Sequence, residues 1–254
     1  MKIAAAQLTC TPADIPANVR RMADLAAEAR AQGAELIVLP ELALTGYELD
    51  AIRDHPALWT RHDDVRLDAL RACGLVTVVN AAAPSGGPRP AIETFVYGPE
   101  GALLTTYRKQ HLFEHEQQVF AAGGTDGRFT YGGLRFSLAT CYDNHFPALI
   151  SRAAADRCDA HLASSLYGTG GGVRERATVY PGIARSAGLH VVLANHVGPA
   201  GEWTGCGGSA VWAPGGTLLA EADDCTEGVV VAEVGPVGQP AGMDAARAHS
   251  ANSL

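Results

Sequence analysis

Three segments of this 254-residue sequence each place a reactive side chain at the end of, or just after, an apolar or extended run. Glu41 follows ELIVLP, Lys109 lies in YRKQHLF, and Cys141 follows SLAT. A carboxylate, an ammonium and a thiol supply the base, the cation and the nucleophile that amide hydrolysis requires. Because ligands of α/β sheets bind at the carboxyl ends of strands, we expect these three side chains to converge on one pocket.

Each of these residues also has an ordinary structural interpretation. Glu41 is compatible with a surface cap and Lys109 with a solvated cation. A free cysteine such as Cys141 is most often a small buried hydrophobic residue. Only the combination of the three favours catalysis.

The elements that would position them begin with a β-α-β unit. Apolar runs at 2–8 and 35–40 predict buried strands. Between them, apolar residues at helical spacing predict a helix over 18–32 that ends at Gly33.

Strands and helices continue to alternate along the rest of the chain. The predicted helices cover 63–73, 147–157 and 174–187. The predicted strands cover 75–80, 91–98, 102–107, 134–140, 160–164, 190–194, 209–212, 218–221 and 229–234. A turn at 99–101 makes a hairpin, so the sheets are mixed, and the fold class is α/β (α+β) with layered helices and sheets. We expect residues 1–254 to form one domain, with a surface loop at 84–90 and a loosely held tail from about 237 to 254.

Other motifs in the sequence are weaker. The glycine-rich stretches 168–172 and 205–210 lack the strand and helix context of nucleotide-binding loops, so a flexible loop and a hairpin turn are predicted there. No G-x-S-x-G motif indicates a serine hydrolase. His111 and His115 are four residues apart, which leaves a zinc-dependent hydrolase open, but a third ligand is not evident. We therefore expect no metal and no organic cofactor.

Composition restricts the class of protein further. The chain is 47% hydrophobic and 18% charged, which suits a folded core, and its net charge of −8 argues against nucleic-acid binding. No apolar stretch reaches the ~20 residues of a membrane span, and the N-terminus lacks the features of a leader. The six cysteines form no C-x-x-C pair and favour free thiols in a reducing compartment. A cytoplasmic location is therefore expected.

The sequence resembles the nitrilase superfamily of carbon–nitrogen hydrolases over nearly its whole length. The resemblance rests on MKIAAAQLTC, LPELALTGY, YRKQHLF, CYDNHFP, LANHVG and GGSAVWAPGG. It implies a four-layer αββα sandwich that assembles into a homodimer or a higher homo-oligomer. It also implies that Glu41, Lys109 and Cys141 form a catalytic triad, with Glu116 as a second glutamate. Lys109 would favour the thiolate of Cys141 and hold the oxyanion of a reaction that proceeds through a thioester and releases ammonia.

The resemblance also bears on the substrate. It implies substrate contacts from Tyr47, Tyr142, His145 and Tyr167, with the backbone N–H of Tyr142 as an oxyanion donor. The pair Tyr142-Asp143 is similar to the amidase and carbamoylase branch, whereas nitrilases more often have Trp-Glu. His145 occupies a position at which related sequences commonly have an arginine. The absence of that arginine argues against binding of a substrate carboxylate near the nucleophile. A small neutral or aliphatic amide is therefore predicted.

Several alternatives remain open at this point. On the same scaffold, the chain could be an N-carbamoyl-amino-acid hydrolase, an omega-amidase or a nitrilase. It could also be a non-catalytic member that binds a small molecule or a partner protein. Four aromatic residues suit either pocket walls or core packing, namely Phe146, Tyr167, Trp203 and Trp212. Asp143 suits a cap of the following helix, and Asn195 suits a tie within a loop.

Overall fold

The computed structural model describes residues 1–238, and strands and helices alternate through most of them. The helices are α1 (Ile15–Ala31), α2 (Leu49–Asp54), α3 (Asp68–Arg71), α4 (Glu116–Val119), α5 (Pro147–Ala155) and α6 (Gly171–Ala187). The strands are β1 (Lys2–Gln7), β2 (Leu36–Val38), β3 (Val76–Pro84), β4 (Pro90–Tyr97), β5 (Leu103–Arg108), β6 (Gly127–Tyr131), β7 (Leu134–Thr140), β8 (Ala160–Ser165), β9 (His190–Asn195), β10 (Val197–Ala200), β11 (Trp203–Cys206), β12 (Ala210–Trp212), β13 (Leu218–Glu221) and β14 (Gly228–Glu233). Short 3-10 helices cover Pro56–Leu58, Val65–Leu67 and Cys141–His145.

The strands form two six-stranded mixed sheets. Sheet A has the order β14-β1-β2-β3-β4-β5, and sheet B has the order β13-β12-β9-β8-β7-β6. The central strands of each sheet are parallel, namely β1-β2-β3 in sheet A and β7-β8-β9 in sheet B, and the outer pairs are antiparallel. Strands β10 and β11 make a separate antiparallel hairpin.

The two sheets pack face to face over a shared apolar core. Ile3, Leu36 and Val76 of sheet A belong to one buried cluster with Phe136 and Leu162 of sheet B. Burial of this apolar surface is the main force that holds the sheets together. The outer face of sheet A packs against α1 and α3, and the outer face of sheet B packs against α5 and α6. The predicted αββα order of layers is therefore confirmed.

The topology brings the ends of distant strands to one edge. Strand β4 is antiparallel to both β3 and β5, so β5 runs in the same direction as β2 and β3. Residues that follow β2 and β5 therefore leave sheet A at the same edge. This edge meets the carboxyl end of β7 in sheet B, where Asn80 of β3 donates to the Thr140 hydroxyl at 3.4 Å.

Some predicted elements differ in detail from the structure. The helix predicted over 63–73 is a 3-10 turn followed by the single turn of α3, because Asp64 accepts a hydrogen bond from the Arg66 N–H and starts a short turn there. Helix α1 begins earlier than predicted, since Asp14 caps the Ala17 N–H at 3.0 Å. The flexible loop predicted at 168–172 is wrong in part, because Gly171 and Gly172 form the first turn of α6.

Four short features were not predicted: α2, α4, β6 and the β10–β11 hairpin. Each of these helices and strands is four to six residues long, which is too short to show a clear periodicity. The predicted tail begins with Val237, whose N–H donates to Asp159 at 3.0 Å. The rest of it, 239–254, lies outside the described residues. Within residues 1–238, the helices are too short or too polar to cross a membrane.

Candidate active site

Lys109 lies at the centre of a buried cluster of charges where the two sheets meet. Its Nζ donates to Glu41 Oε1 at 2.8 Å and to the two carboxylate oxygens of Glu116 at 2.8 and 2.7 Å. All three residues are 0% exposed. Burial alone would lower the pKa of Lys109, but the two carboxylates outweigh it and raise this pKa above its ordinary value. The lysine is therefore an ammonium that neutralises only one of its two acidic neighbours.

The two carboxylates differ in how well they are bound. Glu116 also accepts from the Tyr47 hydroxyl and from the Phe113 N–H, both at 2.8 Å. Glu41 Oε2, in contrast, has no hydrogen-bond partner among residues 1–238. Burial, opposed by Lys109 and reinforced by Glu116, raises the pKa of Glu41 to about 7. Glu41 is therefore the carboxyl of this cluster that can take up and release a proton near neutral pH.

Cys141 is the residue at which β7 turns into the 3-10 helix. Its φ of 44° lies in the left-handed region, which is uncommon for a residue with a side chain and often marks a functional site. Its Sγ lies 3.7 Å from the Leu166 carbonyl oxygen. Burial and the negative charge of Glu41 raise the pKa of the thiol well above its ordinary value, although Lys109 opposes them. Lys109 therefore favours the thiolate, as predicted, but burial and the negative charge of Glu41 outweigh its effect.

Asp143 connects the turn that carries Cys141 to the segment that carries Lys109. Its Oδ2 accepts from the Thr140 N–H at 3.0 Å and from the Tyr107 hydroxyl at 2.6 Å. Its Oδ1 accepts from the N–H groups of Gln110 and His111 at 3.1 and 2.8 Å. The prediction that Asp143 caps the following helix is wrong, because α5 begins after Phe146 without a side-chain cap, and the Thr140 contact belongs to the 3-10 helix that contains Asp143. The larger role of this buried carboxylate is to join the end of β5 to the end of β7.

Two further polar residues fix the loop after β2. Asn80 accepts from the Leu42 N–H at 2.8 Å, and His196 Nε2 donates to the Glu41 carbonyl oxygen at 2.6 Å. Burial lowers the pKa of His196 to about 4, so this histidine is neutral at physiological pH. Asn195 ties the neighbouring loop, as expected, by accepting from the Tyr167 N–H at 2.7 Å.

A cavity of about 240 Å³ opens above Cys141. The four residues predicted to contact substrate, Tyr47, Tyr142, His145 and Tyr167, all line it. The structure thus gathers the predicted catalytic residues and the predicted substrate contacts at one place. His145 Nε2 lies 3.1 Å from the Tyr167 hydroxyl.

Sequence reasoning missed other residues of this cavity. Phe113, Leu166 and Glu175 also line it, and so does Trp203, for which a pocket position was one of two possibilities. Glu175 lies on α6, and nothing in its local sequence distinguishes it from a solvated helix residue. Trp212 belongs instead to the core, stacked on Tyr180 with ring centroids 5.9 Å apart.

His111 and His115, the pair that suggested a zinc site, have different surroundings. His111 lies against Asp143, with Nδ1 and Oδ1 3.0 Å apart, and His115 lines a second cavity. Within residues 1–238, the group of three close ligand residues is the exposed set Asp223, Asp224 and Cys225. The structure therefore gives no support to a zinc site built on His111 and His115.

Comparison with known proteins adds independent findings. The family model described as carbon-nitrogen hydrolase matches residues 2–238. A cysteine mutant of the amidase from Nesterenkonia sp. AN1, solved in complex with butyramide, is similar with a TM-score of 0.85 and 29% identity over 93% of this chain and 91% of that chain. Another structure of that amidase, with the same TM-score and identity over 93% and 90% of the two chains, shows covalent addition of the acetamide moiety of fluoroacetamide at the active-site cysteine.

Two curated relatives also cover most of the chain. A nitrilase of Pyrococcus abyssi is 28% identical over 92% of this chain and 89% of its own length. An omega-amidase of Danio rerio is 25% identical over 85% of this chain and 82% of its own length.

Proposed function

This chain belongs to the carbon–nitrogen hydrolase family, and from that premise we propose that Cys141 is the nucleophile of a small-amide hydrolase served by Glu41, Lys109 and Glu116. The observation that carries the proposal is the buried Lys109 ammonium, which both glutamates hold and which lies close enough to the thiol of Cys141, a residue of the cavity lining, to act on its pKa. A thiol, a base with a pKa of about 7 and a fixed cation in one site suit acyl transfer.

The first step is attack of Cys141 on the amide carbon. Because the pKa of the thiol is raised, the sulfur is protonated at neutral pH and must lose its proton as the S–C bond forms. Glu41 accepts this proton through Oε2, the oxygen that has no other hydrogen-bond partner in the described chain. General-base assistance of this kind typically contributes about 10²- to 10⁴-fold in rate.

The attack converts the carbonyl oxygen into an oxyanion. Lys109 supplies positive charge beside it, and the Tyr142 N–H supplies a second donor. Tyr142 lies in the first turn of the 3-10 helix Cys141–His145, where backbone N–H groups have no acceptor within the helix. Both donors are fixed before the substrate arrives, so the protein need not reorganise to stabilise the new charge.

Collapse of the tetrahedral intermediate breaks the C–N bond. Glu41 returns its proton to the departing nitrogen, ammonia leaves, and the acyl group remains on Cys141 as a thioester. Glu41 then takes a proton from water as the hydroxyl attacks the thioester carbon, and gives it to the departing sulfur. The products are a carboxylic acid and ammonia, and the thiol is restored.

Glu116 has a different role in this mechanism. Two contacts to Lys109, one to Tyr47 and one to Phe113 occupy its oxygens. These contacts keep Lys109 charged and immobile, and they leave Glu116 poorly placed to exchange protons with substrate. Glu116 therefore acts as a positioning residue, and proton transfer falls to Glu41.

The cavity supports a small neutral or aliphatic amide as the substrate. Its volume of about 240 Å³ suits a short acyl chain, and its walls are largely aromatic. Among residues 1–238, its lining includes no arginine or lysine that could grip a substrate carboxylate. The butyramide bound to the amidase from Nesterenkonia sp. AN1 is a small aliphatic amide of this kind.

The test is ammonia release from a panel of small amides, with Cys141→Ala as the blank. We expect turnover of aliphatic amides by the wild type only, and a thioester mass adduct on Cys141 after rapid quenching. Carbon dioxide as a second product would instead indicate a carbamoylase, and turnover confined to nitriles would indicate a nitrilase. A strong preference for dicarboxylate monoamides would favour an omega-amidase. Absence of any turnover and of any Cys141 adduct would support a non-catalytic binding protein.

We also propose that the chain acts in the cytoplasm as a homodimer or a higher homo-oligomer. All six cysteines are free, which suits a reducing compartment. Leu218 and Leu219 on the edge strand β13 are 46% and 43% exposed, which suits a surface covered by a second copy. Cell fractionation tests the location, and light scattering of the purified chain tests the assembly.

A further inference from the structure

Glu175 is a carboxylate in the wall of the cavity that the mechanism above does not use. It lies on α6 and lines the cavity together with Cys141. Its Oε1 lies 3.1 Å from His145 Nε2, and its side chain is 48% exposed. It is therefore held in place by one contact and is still open to a ligand.

From this placement we propose that the cavity is selective for amides whose acyl chain carries an amino group, with Glu175 receiving the ammonium. The inference rests on the proposed amide hydrolysis and concerns the substrate class of the same site. The carbonyl end of such a substrate would lie at Cys141, and the amino end would lie towards Glu175.

Charge is the first reason for this assignment. Among residues 1–238, Glu175 is the one carboxylate of the cavity lining, which includes no lysine or arginine. A cavity lined by one carboxylate, with the His145 imidazole as its one basic group, attracts a cation and repels an anion as long as that imidazole is uncharged. Because Glu175 is half exposed, solvent screens part of this attraction, and a moderate selectivity is expected.

The walls give a second and independent reason. Phe113, Tyr142, Tyr167 and Trp203 present aromatic rings to the cavity. The faces of aromatic rings carry partial negative charge, so they stabilise a nearby ammonium that has left water. An alkyl ammonium would therefore be accepted along the wall as well as at the carboxylate.

The surface next to the cavity carries charge of the same sign. A neighbouring cavity, which shares Tyr47 and Trp203 with the first one, is lined by the three acidic residues Glu48, Asp50 and Glu202. Its one arginine, Arg53, is already paired with Asp50 at 2.7 Å and with Asp54 at 2.8 Å. The surface that adjoins the cavity at Tyr47 and Trp203 is thus acidic, which raises the local concentration of cationic ligands.

The experiment compares three amides of similar size. Pentanamide, 4-aminobutanamide and succinamate end in a methyl, an ammonium and a carboxylate. We expect the wild type to give a kcat/KM for 4-aminobutanamide about threefold to tenfold above that for pentanamide, and succinamate to be the poorest of the three. In Glu175→Gln, the ratio of cationic to neutral amide should fall at least threefold, and the ratio of anionic to neutral amide should rise.

The control variant is Glu100→Gln, which removes an exposed carboxylate in the turn between β4 and β5 and should leave both ratios unchanged. Added salt should lower the wild-type preference for 4-aminobutanamide, because ions screen exposed charges. A cationic-to-neutral ratio that is the same in Glu175→Gln and wild type would overturn this inference while hydrolysis of pentanamide still stood. Failure of all three amides, with no adduct on Cys141, would instead count against the proposed function.

Discussion

The two sheets contribute unlike halves to the active site. Sheet A positions Glu41 and Lys109, and together with Glu116 these side chains form a cluster whose ion pairs are 2.7–2.8 Å long. Sheet B positions Cys141, whose sulfur lies 3.7 Å from the Leu166 carbonyl oxygen and whose backbone is in the left-handed region. Ion pairs hold the charged half, and a strained backbone turn holds the nucleophilic half. The difference indicates a site in which sheet A sets the electrostatic environment and sheet B presents the reactive sulfur.

This division also has a cost in stability. A carboxylate such as Glu41, buried with one oxygen unpartnered, is less stable in its charged form than in water. Cys141 adds a strained backbone. Sites tuned for reactivity are commonly less stable than the fold would allow. Separating the contribution of each half therefore requires variants that change charge without changing shape.

The largest effect is expected from Glu41→Gln. Glutamine keeps the size of the side chain and can still accept a hydrogen bond from Lys109, but it cannot take the thiol proton. We expect kcat for a small aliphatic amide to fall by about 10³-fold or more, measured as ammonia release. The matched control is Glu35→Gln. Glu35 is an exposed carboxylate that immediately precedes β2, at the end of the strand far from Glu41, and its variant should retain wild-type turnover. A Glu41→Gln variant that keeps a tenth of the wild-type kcat would show that another group is the base.

The same substitution should change how stability depends on pH. The pKa of Glu41 is raised from 4.5 to about 7 in the folded chain, so its favourable contribution is complete below its unfolded pKa and is lost as pH rises through about 7. Glutamine does not titrate. Relative to wild type, the free energy of unfolding of Glu41→Gln should therefore rise by up to about 3 kcal/mol between pH 5 and pH 8.

Urea unfolding of both proteins at pH 5, 6, 7 and 8 measures this difference. Glu35→Gln serves again as the control, and its difference from wild type should not follow the same curve. A difference between Glu41→Gln and wild type that stays constant over this range, or that falls, would mean that Glu41 is not destabilised by its burial.

The positions of the catalytic candidates could be predicted because they follow strands. Strand β7 ends at Thr140, where the sequence pattern placed its end, and Cys141 comes next. Strands β2 and β5 run in the same direction and end at one edge of sheet A, which brings Glu41 and Lys109 together, and the packing of sheet B on sheet A brings Cys141 to the same region. The ionisation of the thiol could not be predicted in the same way, because it depends on burial, and one-dimensional spacing does not show burial.

The wall of the cavity could not be predicted either. Glu175 reaches the cavity because α6 begins at Gly171, within a stretch whose glycines suggested a loop. Asp143 meets the segment after β5 only because sheet A packs on sheet B at that point. Contacts of this kind depend on how layers pack, and residues far apart in sequence carry no local sign of them.

The smallest of the expected effects tests the connection between the two halves. In Asp143→Asn, one oxygen becomes an NH₂ group that faces at least one backbone N–H group and cannot accept its hydrogen bond. The turn at Cys141 should therefore shift relative to Lys109 by a fraction of an ångström. We expect kcat to fall about tenfold or more with KM nearly unchanged, because misplacement of the reacting atoms slows the chemical step more than binding.

Tyr107→Phe is the matched variant for this test, since it removes only the 2.6 Å hydrogen bond to Asp143 Oδ2 and leaves the backbone contacts in place. It should lower kcat less than Asp143→Asn does. Mass spectrometry can follow the alkylation of Cys141 by iodoacetamide. This alkylation should be slower in Asp143→Asn if the sulfur has moved away from its base. Assays well below the unfolding temperature separate this effect from lost stability. Asp143→Asn could instead lower only the unfolding temperature and leave both kcat and the alkylation rate at their wild-type values. Asp143 would then stabilise the fold without positioning the nucleophile, and the packing of the sheets alone would align the two halves of the site.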